Sequence, residues 1–563
     1  MKVGDIVVEI LKKYGIKTFF GVPGHHNLPL YEAIYDRKLE HILFHEETNA
    51  GFAADGYSKI LGLGVVDATA GPGALRLVPA IAESFSSSTA LIAIVGDVDL
   101  IYIYSHKYGR SNVSQQTDQL SIFKPITKAQ FLVTSPYNVE DILRNAVKIA
   151  ISGRPGPVLI DIPVDIFWGS YEDLRLRRAH YIETSPIRYI PPDDELKKAA
   201  DIIKGSKRPI LLCGGGIHIA RAWDEVKVLR DINGIPVITT ISGKGSVDEI
   251  HPLSLGVVGD LGGWEHAVEA VEKSDLIIVV GSKLPQYATY NWKLLENKSI
   301  IHIDIDPEEL ERNFPALLKL AGDAKETLRK LHYHLSGWRS EDEWVRYIYR
   351  LKEQQLKEFE KISSDQPQGE AVDPRIVMVL LNKITDEKDV LISDASSASG
   401  WTAKYYMLKR GGRAYIAPRG FAGLGYGLPA SIGVYASGLI NGRVIVVTGD
   451  GGFGYSISEL ETIKRTGYPI MVIILNDSAL GWIKLEQEIL QDGKVISSTF
   501  LNIDYARIAE SFGIKGYRVE KIQELEKVLK EAYYIKEPII IDVKTKTDPS
   551  FSHSLYKASK KRS

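Results

Sequence analysis

Asp450 and Asp477 are the two side chains of this sequence best spaced to hold a divalent metal on a diphosphate. Each follows an apolar run. Val444-Ile-Val-Val-Thr448 leads into Gly449-Asp450-Gly451, and Ile470-Met-Val-Ile-Ile-Leu475 leads into Asn476-Asp477. Both runs read as buried parallel strands. Between them Ser456-Ile-Ser-Glu459 has the form of a capping box, which predicts a helix start there. Strand, helix and strand make one crossover unit, so both carboxylates fall at the carboxyl edge of one sheet. Magnesium takes few carboxylates and fills its shell with phosphate oxygens and water. A backbone carbonyl just beyond, that of Ala479, is expected to add a third protein oxygen. Gly449 and Gly451 let the backbone turn tightly and approach a ligand.

A second constellation lies near the N-terminus, in His45-Glu46-Glu47 and the Gly56-Tyr57 pair. Gly449-Asp450-Gly451 followed by Asn476-Asp477 resembles the thiamine diphosphate (ThDP) signature, Gly-Asp-Gly to Asn-Asn. Asp477 departs from it, because that family usually has Asn there. The resemblance implies a carboxylate at the aminopyrimidine ring, and Glu47, rather than Glu46, stands at the family's distance before Gly56. It also implies that Gly452, Leu480 and Gly481 join Gly449, Asp450, Gly451 and Asp477 in binding the cofactor, with Leu480-Gly481-Trp482-Ile483 lining the substrate side.

Other segments carry the same resemblance. Gly21-Val-Pro23-Gly24-His25-His26 resembles the family's first active-site loop, with Pro23 at the cofactor. His suits proton transfer near neutral pH, so His25 or His26 is expected to face the substrate. Ala70-Gly71-Pro72-Gly73-Ala74 resembles the loop over the substrate side of the cofactor, and Gln115 matches a glutamine of the acetolactate synthases. His106 lies near where pyruvate decarboxylases carry a histidine pair. Gly423-Leu424-Gly425 resembles the segment that bends ThDP, with Leu424 between its rings. Ser396 and Ser397 stand in the place of a diphosphate-binding turn. Glu486 replaces a tryptophan that plant and yeast acetolactate synthases have near the substrate.

These residues require scaffolds to position them. At 563 residues the chain exceeds one core. Helical and strand patterns alternate in three blocks, which predicts an α/β protein of three doubly wound parallel-sheet domains. The expected bounds are residues 1–168 for a pyrimidine-binding domain, 188–338 for a central domain and 373–545 for a diphosphate- and magnesium-binding domain. A tail follows at 546–563. A polar stretch near 170–190 reads as a linker, and 340–372 as a charged segment with a surface helix. The lysine-rich end, 557–563, reads as solvated and disordered, with a CoA lid as its other reading. The order of blocks resembles the acetolactate synthase and pyruvate decarboxylase superfamily over nearly the whole chain.

Composition narrows the function classes. Net charge is −2 with no broad basic face, which argues against nucleic acid. Apolar residues make up 44% and charged residues 25%, ordinary for a globular protein. No apolar run reaches membrane-spanning length and no signal peptide is read, so a cytoplasmic location is expected. The one cysteine, Cys213, reads as a small core residue. In the middle block Gly214-Gly-Gly216 and Gly281-Ser-Lys-Leu284 resemble the FAD-binding domain of acetolactate synthases. The Asp-Asp-Arg of the FAD binders and a Gly-x-Gly-x-x-Gly are both missing, so FAD stays one possibility beside an unused site.

The expected function is ThDP- and Mg²⁺-dependent decarboxylation of a 2-oxo acid such as pyruvate, with carboligation to an acetolactate-type product. The rival readings are a decarboxylase that releases an aldehyde, a 2-hydroxyacyl-CoA lyase, and a ThDP-binding regulatory subunit without catalysis. His25, His26, the serine turn and Glu486 favour a decarboxylase or lyase, and the motif order favours the synthases. The resemblance further implies a homodimer or homotetramer with active sites at the subunit interface.

Overall fold

The computed structural model describes residues 1–103, 112–172, 174, 176, 187–364 and 371–562. Among them the strands form three six-stranded sheets, and every pairing within these sheets is parallel. The first holds β1 (Thr18–Gly21), β2 (Glu40–Leu43), β3 (Gly64–Ala68), β4 (Leu91–Asp97), β5 (Ala129–Leu132) and β6 (Pro157–Pro163). The second holds β7 (Pro209–Cys213), β8 (Val237–Thr239), β9 (Ser254–Val257), β10 (Leu276–Val280), β11 (Ser299–Asp304) and β12 (Leu318–Ala321). The third holds β13 (Val390–Ser393), β14 (Tyr415–Ile416), β15 (Val444–Gly449), β16 (Ile470–Asn476), β17 (Lys515–Val519) and β18 (Ile539–Lys544). The central strands of the second and third sheets are near-continuous apolar runs because helices cover both faces of such sheets.

Strand order explains where ligands can bind. The first sheet runs β2-β1-β3-β4-β6-β5 and the third β14-β13-β15-β16-β18-β17, the same order twice. Chain direction across the sheet reverses between β1 and β3, and again between β13 and β15. Doubly wound sheets open a ligand crevice at such switch points, outside the carboxyl ends of the strands. The second sheet, β12-β11-β10-β7-β8-β9, has the dinucleotide-binding order, with its switch between β10 and β7.

Residues 1–187, 418–440 and 456–468 make one compact unit. Within it, helix Gly427–Ala436 lies on helix Glu47–Leu61 at backbone contact: a Cβ on Gly56 would meet the Ala430 carbonyl, and one on Gly433 the Ala53 carbonyl. Buried Asp55 sits at this contact and accepts from Tyr426 Oη at 2.7 Å and Ser84 Oγ at 2.9 Å, and pairs with Lys59.

Residues 188–417, 441–455 and 469–563 make the second unit. Here two sequence readings are corrected. Helix Asp342–Ser364 is more than a surface helix: Trp344, Val345, Ile348 and Leu351 are core residues, and buried Lys352 donates to the Glu249 carbonyl at 2.6 Å. Its apolar stripe was hidden among charges on the opposite face. The C-terminal end is not a free tail either. It folds as helix His553–Arg562, and buried Phe551 and Leu555 anchor it. The Phe551 ring lies 5.3 Å from that of Trp401 and 5.1 Å from that of Trp482, and Asp260 accepts from the Ser554 N–H at 2.7 Å. Phe551→Ala should leave a cavity between the two indoles and destabilise this unit by about 3–5 kcal/mol, read by chemical denaturation.

Candidate active site

The first unit presents one half of the candidate site at the β1/β3 switch point. Glu47 is the first residue of helix Glu47–Leu61, and the Glu46 carboxylate caps that helix by accepting from Asn49 N–H at 3.1 Å. Glu47 is 5% exposed, and its Oε2 is buried without a hydrogen-bond partner. The nearest cation, Arg76 Nη1, stands 3.6 Å away and is mostly solvent-exposed. Burial pushes the Glu47 carboxyl above its ordinary range. A Cβ on Gly73 would come within 3.1 Å of Glu47 Oε1, so the glycine keeps the space beside the acid open.

The loop after β1 separates the two histidines. His25 points outward, its ring stacked 6.1 Å from that of Trp168. His26 points inward and pairs through Nδ1 with Thr69 Oγ1 at 3.1 Å. Burial, helped by the neighbouring His25, holds the His26 pKa below that of a free imidazole, so His26 is neutral at pH 7. Asn27 fixes the loop: its Oδ1 accepts from Gly24 N–H at 2.7 Å, and its Nδ2 donates to Asp67 Oδ1 at 2.9 Å. Asp67 on β3 also accepts from Tyr31 Oη at 2.8 Å and pairs with His41 Nε2 at 2.9 Å. Pro23 in the same loop is exposed.

Gln115 is exposed, with φ +64°, and its backbone lies against Gly71. Sequence reasoning missed a second glutamine. Buried Gln119 accepts from the Gly71 N–H at 2.8 Å and donates to the Gly96 carbonyl and Asp161 Oδ2, both at 3.2 Å. Asp161 and its neighbour Asp97 are buried together, and burial pushes both carboxyls upward. Five residues, Gln115-Gln116-Thr-Asp118-Gln119, offered several polar candidates, and only burial distinguishes them. Leu424 is half-buried, between Ala422 and Gly425, which both have positive φ. His106 lies outside the described residues.

The second unit presents the acidic half. β15 and β16 run in register from Val444/Ile470 to Gly449/Leu475, which sets Asp450 and Asp477 at one sheet edge. Asp450 is 2% exposed and Asp477 half-buried. Burial raises both carboxyls, and the charge of Asp477 raises Asp450 further. The Ala479 contact in the structure is its N–H, which hydrogen-bonds to both acids. Asn476 shapes the turn. Its Nδ2 donates to buried Asp542 at 2.9 Å, and its Oδ1 accepts from Ser478 N–H at 3.2 Å. A Cβ on Gly481 would collide with Asp477 Oδ2, whereas one on Gly449 would enter open space. Leu480 packs by Gly451, and Gly452 lies beside Asp394. No group of three or more His, Cys, Asp or Glu side chains suited to a metal occurs among the described residues. A cation here would rest on two carboxylates and on oxygens from backbone or ligand, the pattern magnesium uses with phosphates.

Two local expectations differ from the structure. Neither Gly449 nor Gly451 adopts positive φ, and the helix begins directly at Asp450. The Ser456 capping box does not form: Ser456 makes no cap bond, and Glu459 instead accepts from Asn49 Nδ2 at 3.0 Å and Thr462 Oγ1 at 2.6 Å. A tertiary partner won over the local one. Ser396 adopts φ +65° and ψ −142°, a strained geometry for a residue with Cβ, at the start of helix Ser397–Tyr405. Its hydroxyl makes no cap bond. Glu486 accepts from Trp482 Nε1 at 2.8 Å, so it braces that indole. In the second sheet, Gly214 and Gly216 are packed against Gly281.

The chain matches known families along most of its length. Residues 1–122 match the thiamine pyrophosphate enzyme N-terminal TPP binding domain, 196–331 the central domain, and 394–543 the C-terminal TPP binding domain. A protein of Methanocaldococcus jannaschii named "Probable acetolactate synthase large subunit" is 34% identical over 96% of this chain and 92% of its own length. The acetolactate synthase large subunit of Corynebacterium glutamicum is 31% identical over 95% of this chain and 85% of its own length. The acetolactate synthase isozyme 2 large subunit of Escherichia coli is 31% identical over 93% and 92%. The chain belongs to the thiamine pyrophosphate enzyme family, in the group of the acetolactate synthase large subunits.

Proposed function

We propose that this protein is a ThDP-dependent carboligase that decarboxylates a 2-oxo acid such as pyruvate and forms an acetolactate-type product. The observation that carries the reading is Glu47, a buried carboxylate with one oxygen left without a hydrogen bond and only the exposed Arg76 guanidinium 3.6 Å from it. An aminopyrimidine nitrogen would supply the missing hydrogen bond. A regulatory subunit without catalysis has no need of that acid.

When bound, ThDP supplies the acidic carbon that adds to the 2-oxo acid and the sink for the electron pair left by carbon dioxide. Glu47 Oε2 holds a proton at the pyrimidine side, which its raised pKa favours. Asp450 and Asp477, with the Ala479 carbonyl as third oxygen, would hold Mg²⁺ on the diphosphate, to which Ser396 and Ser397 would donate. Gly449, Gly451, Gly452, Leu480 and Gly481 give the diphosphate close approach. Pro23, Gly73 and Leu424 would contact the rings. Neutral His26 uses Nδ1 on Thr69 and exchanges protons with substrate through Nε2, while His25 and Gln115 face the acceptor.

Two copies are needed in this reading, one supplying Glu47 and its partner Asp450, in a homodimer or homotetramer. The three domains span 1–168, 188–338 and 373–545. The glycines of the second sheet are used in packing, so no step is assigned to FAD. No helix among the described residues is long and apolar enough to cross a membrane, and a cytoplasmic location is part of the proposal.

The test is product analysis with ThDP, Mg²⁺ and pyruvate. Acetolactate as main product is the expected result. Acetaldehyde alone would replace the proposal with a decarboxylase in which His26 protonates the intermediate. No carbon dioxide from pyruvate or larger 2-oxo acids would refute both.

A further inference from the structure

Glu83 lies in helix Val78–Ser86 and is fully buried. Its carboxylate accepts three successive backbone N–H groups, from Gly420 at 3.2 Å, Phe421 at 2.7 Å and Ala422 at 2.8 Å. Ser87 Oγ donates to it as well. Ala422 adopts φ +62°, and Gly425 adopts φ +83°. Successive amides in such a turn converge into a concave anion site. Here the protein fills that site with its own carboxylate, and the four donors offset the cost of burying the charge. The three amides held this way, 420–422, lie just before Leu424 and Gly425. Gly420 is seated on the same helix, since a Cβ there would meet Ser86 and Ser87.

We propose that Glu83 is a positioning residue for cofactor binding: it fixes the backbone of 420–422 so that Leu424 stands ready to support the bent ThDP. Glu83 does not touch the cofactor. The inference rests on the reading of Leu424 given above.

Hydrogen exchange and ThDP titration test it together, on the full-length protein with Mg²⁺. The chains are the unaltered protein, Glu83→Gln, Leu424→Ala and the double variant. Glu83→Gln keeps the volume but turns an amide donor toward amide donors. It should speed exchange of the 421 and 422 amides and raise the ThDP Kd, each by about tenfold, the scale of one charge-assisted hydrogen bond. The double variant should bind ThDP within about twofold of Leu424→Ala alone, because both changes act through one segment. Additive losses would overturn the proposal, as would faster exchange with an unchanged Kd. Unchanged exchange would refute the hydrogen bonding itself, whatever the fate of ThDP. Normal ThDP affinity in Leu424→Ala would instead sink the reading of Leu424. If Glu83→Gln does not fold, Glu83→Asp, which keeps the charge but shortens the reach, should shift exchange and Kd in the same directions.

Discussion

Glu47→Gln is expected to lower turnover by about 10²–10⁴-fold, the range for loss of a positioned acid or base, while ThDP still binds. The amide matches the carboxyl in shape and hydrogen-bonds to a ring nitrogen, but it cannot shuttle a proton. The same change should stabilise the protein without cofactor. The Glu47 carboxyl is pushed up by burial, so the folded state binds more protons than the unfolded state once pH exceeds the unfolded pKa. Stability from this group is therefore lost as pH rises through the folded pKa. A neutral amide avoids that loss. The Tm of Glu47→Gln without ThDP should exceed that of the unaltered protein at pH 8, and the gap should close as the pH is lowered below the ordinary glutamate range. Unchanged turnover would remove Glu47 from the mechanism.

Asp450→Asn is expected to weaken Mg²⁺-dependent ThDP binding by about 100-fold or more, beyond what outer-shell changes cost a metal site. Asp450 is nearly inaccessible, beside Asp477, in a neighbourhood where both carboxyls are raised. A metal must displace the protons that such acids retain, so Mg²⁺ affinity should rise with pH through their titration range. The signs for the empty protein run opposite. Two raised carboxyls destabilise the fold as they ionise, so Asp450→Asn should raise the Tm without metal at pH 8. Calorimetric titration of ThDP at fixed Mg²⁺ reads the first effect and a thermal melt the second. Equal ThDP affinity with and without Asp450 would leave the metal assignment without support.

Much of this was legible in the sequence, for reasons tied to particular residues. β15 and β16 are mostly β-branched apolar runs, so the parallel strands and the edge that carries Asp450 and Asp477 could be read directly. Glu47 and Gly56, paired by spacing in the sequence, lie on one helix, where Gly56 meets the Ala430 backbone. What escaped was set by tertiary contact. Ser456 and Glu459 form a capping box on paper, but Asn49 takes the glutamate. The two anchors of the C-terminal helix, Phe551 and Leu555, stand among polar residues just ahead of the lysine-rich end. Gln119 and Glu83 are ordinary helix residues until the chain folds and brings Gly71 to one and the 420–422 amides to the other.

In the proposed dimer, Glu47 of one copy and Asp450 of its partner serve a single reaction. The most direct measurement mixes two inactive proteins, Glu47→Gln and Asp450→Asn, under conditions that let subunits exchange. Mixed dimers then hold one site with both residues intact and one with neither. Random reassortment should restore about a quarter of the unaltered activity, since half the dimers are mixed and each keeps one of two sites. Mixed dimers demonstrated by mass, with activity no higher than the sum of the two parents, would contradict the claim.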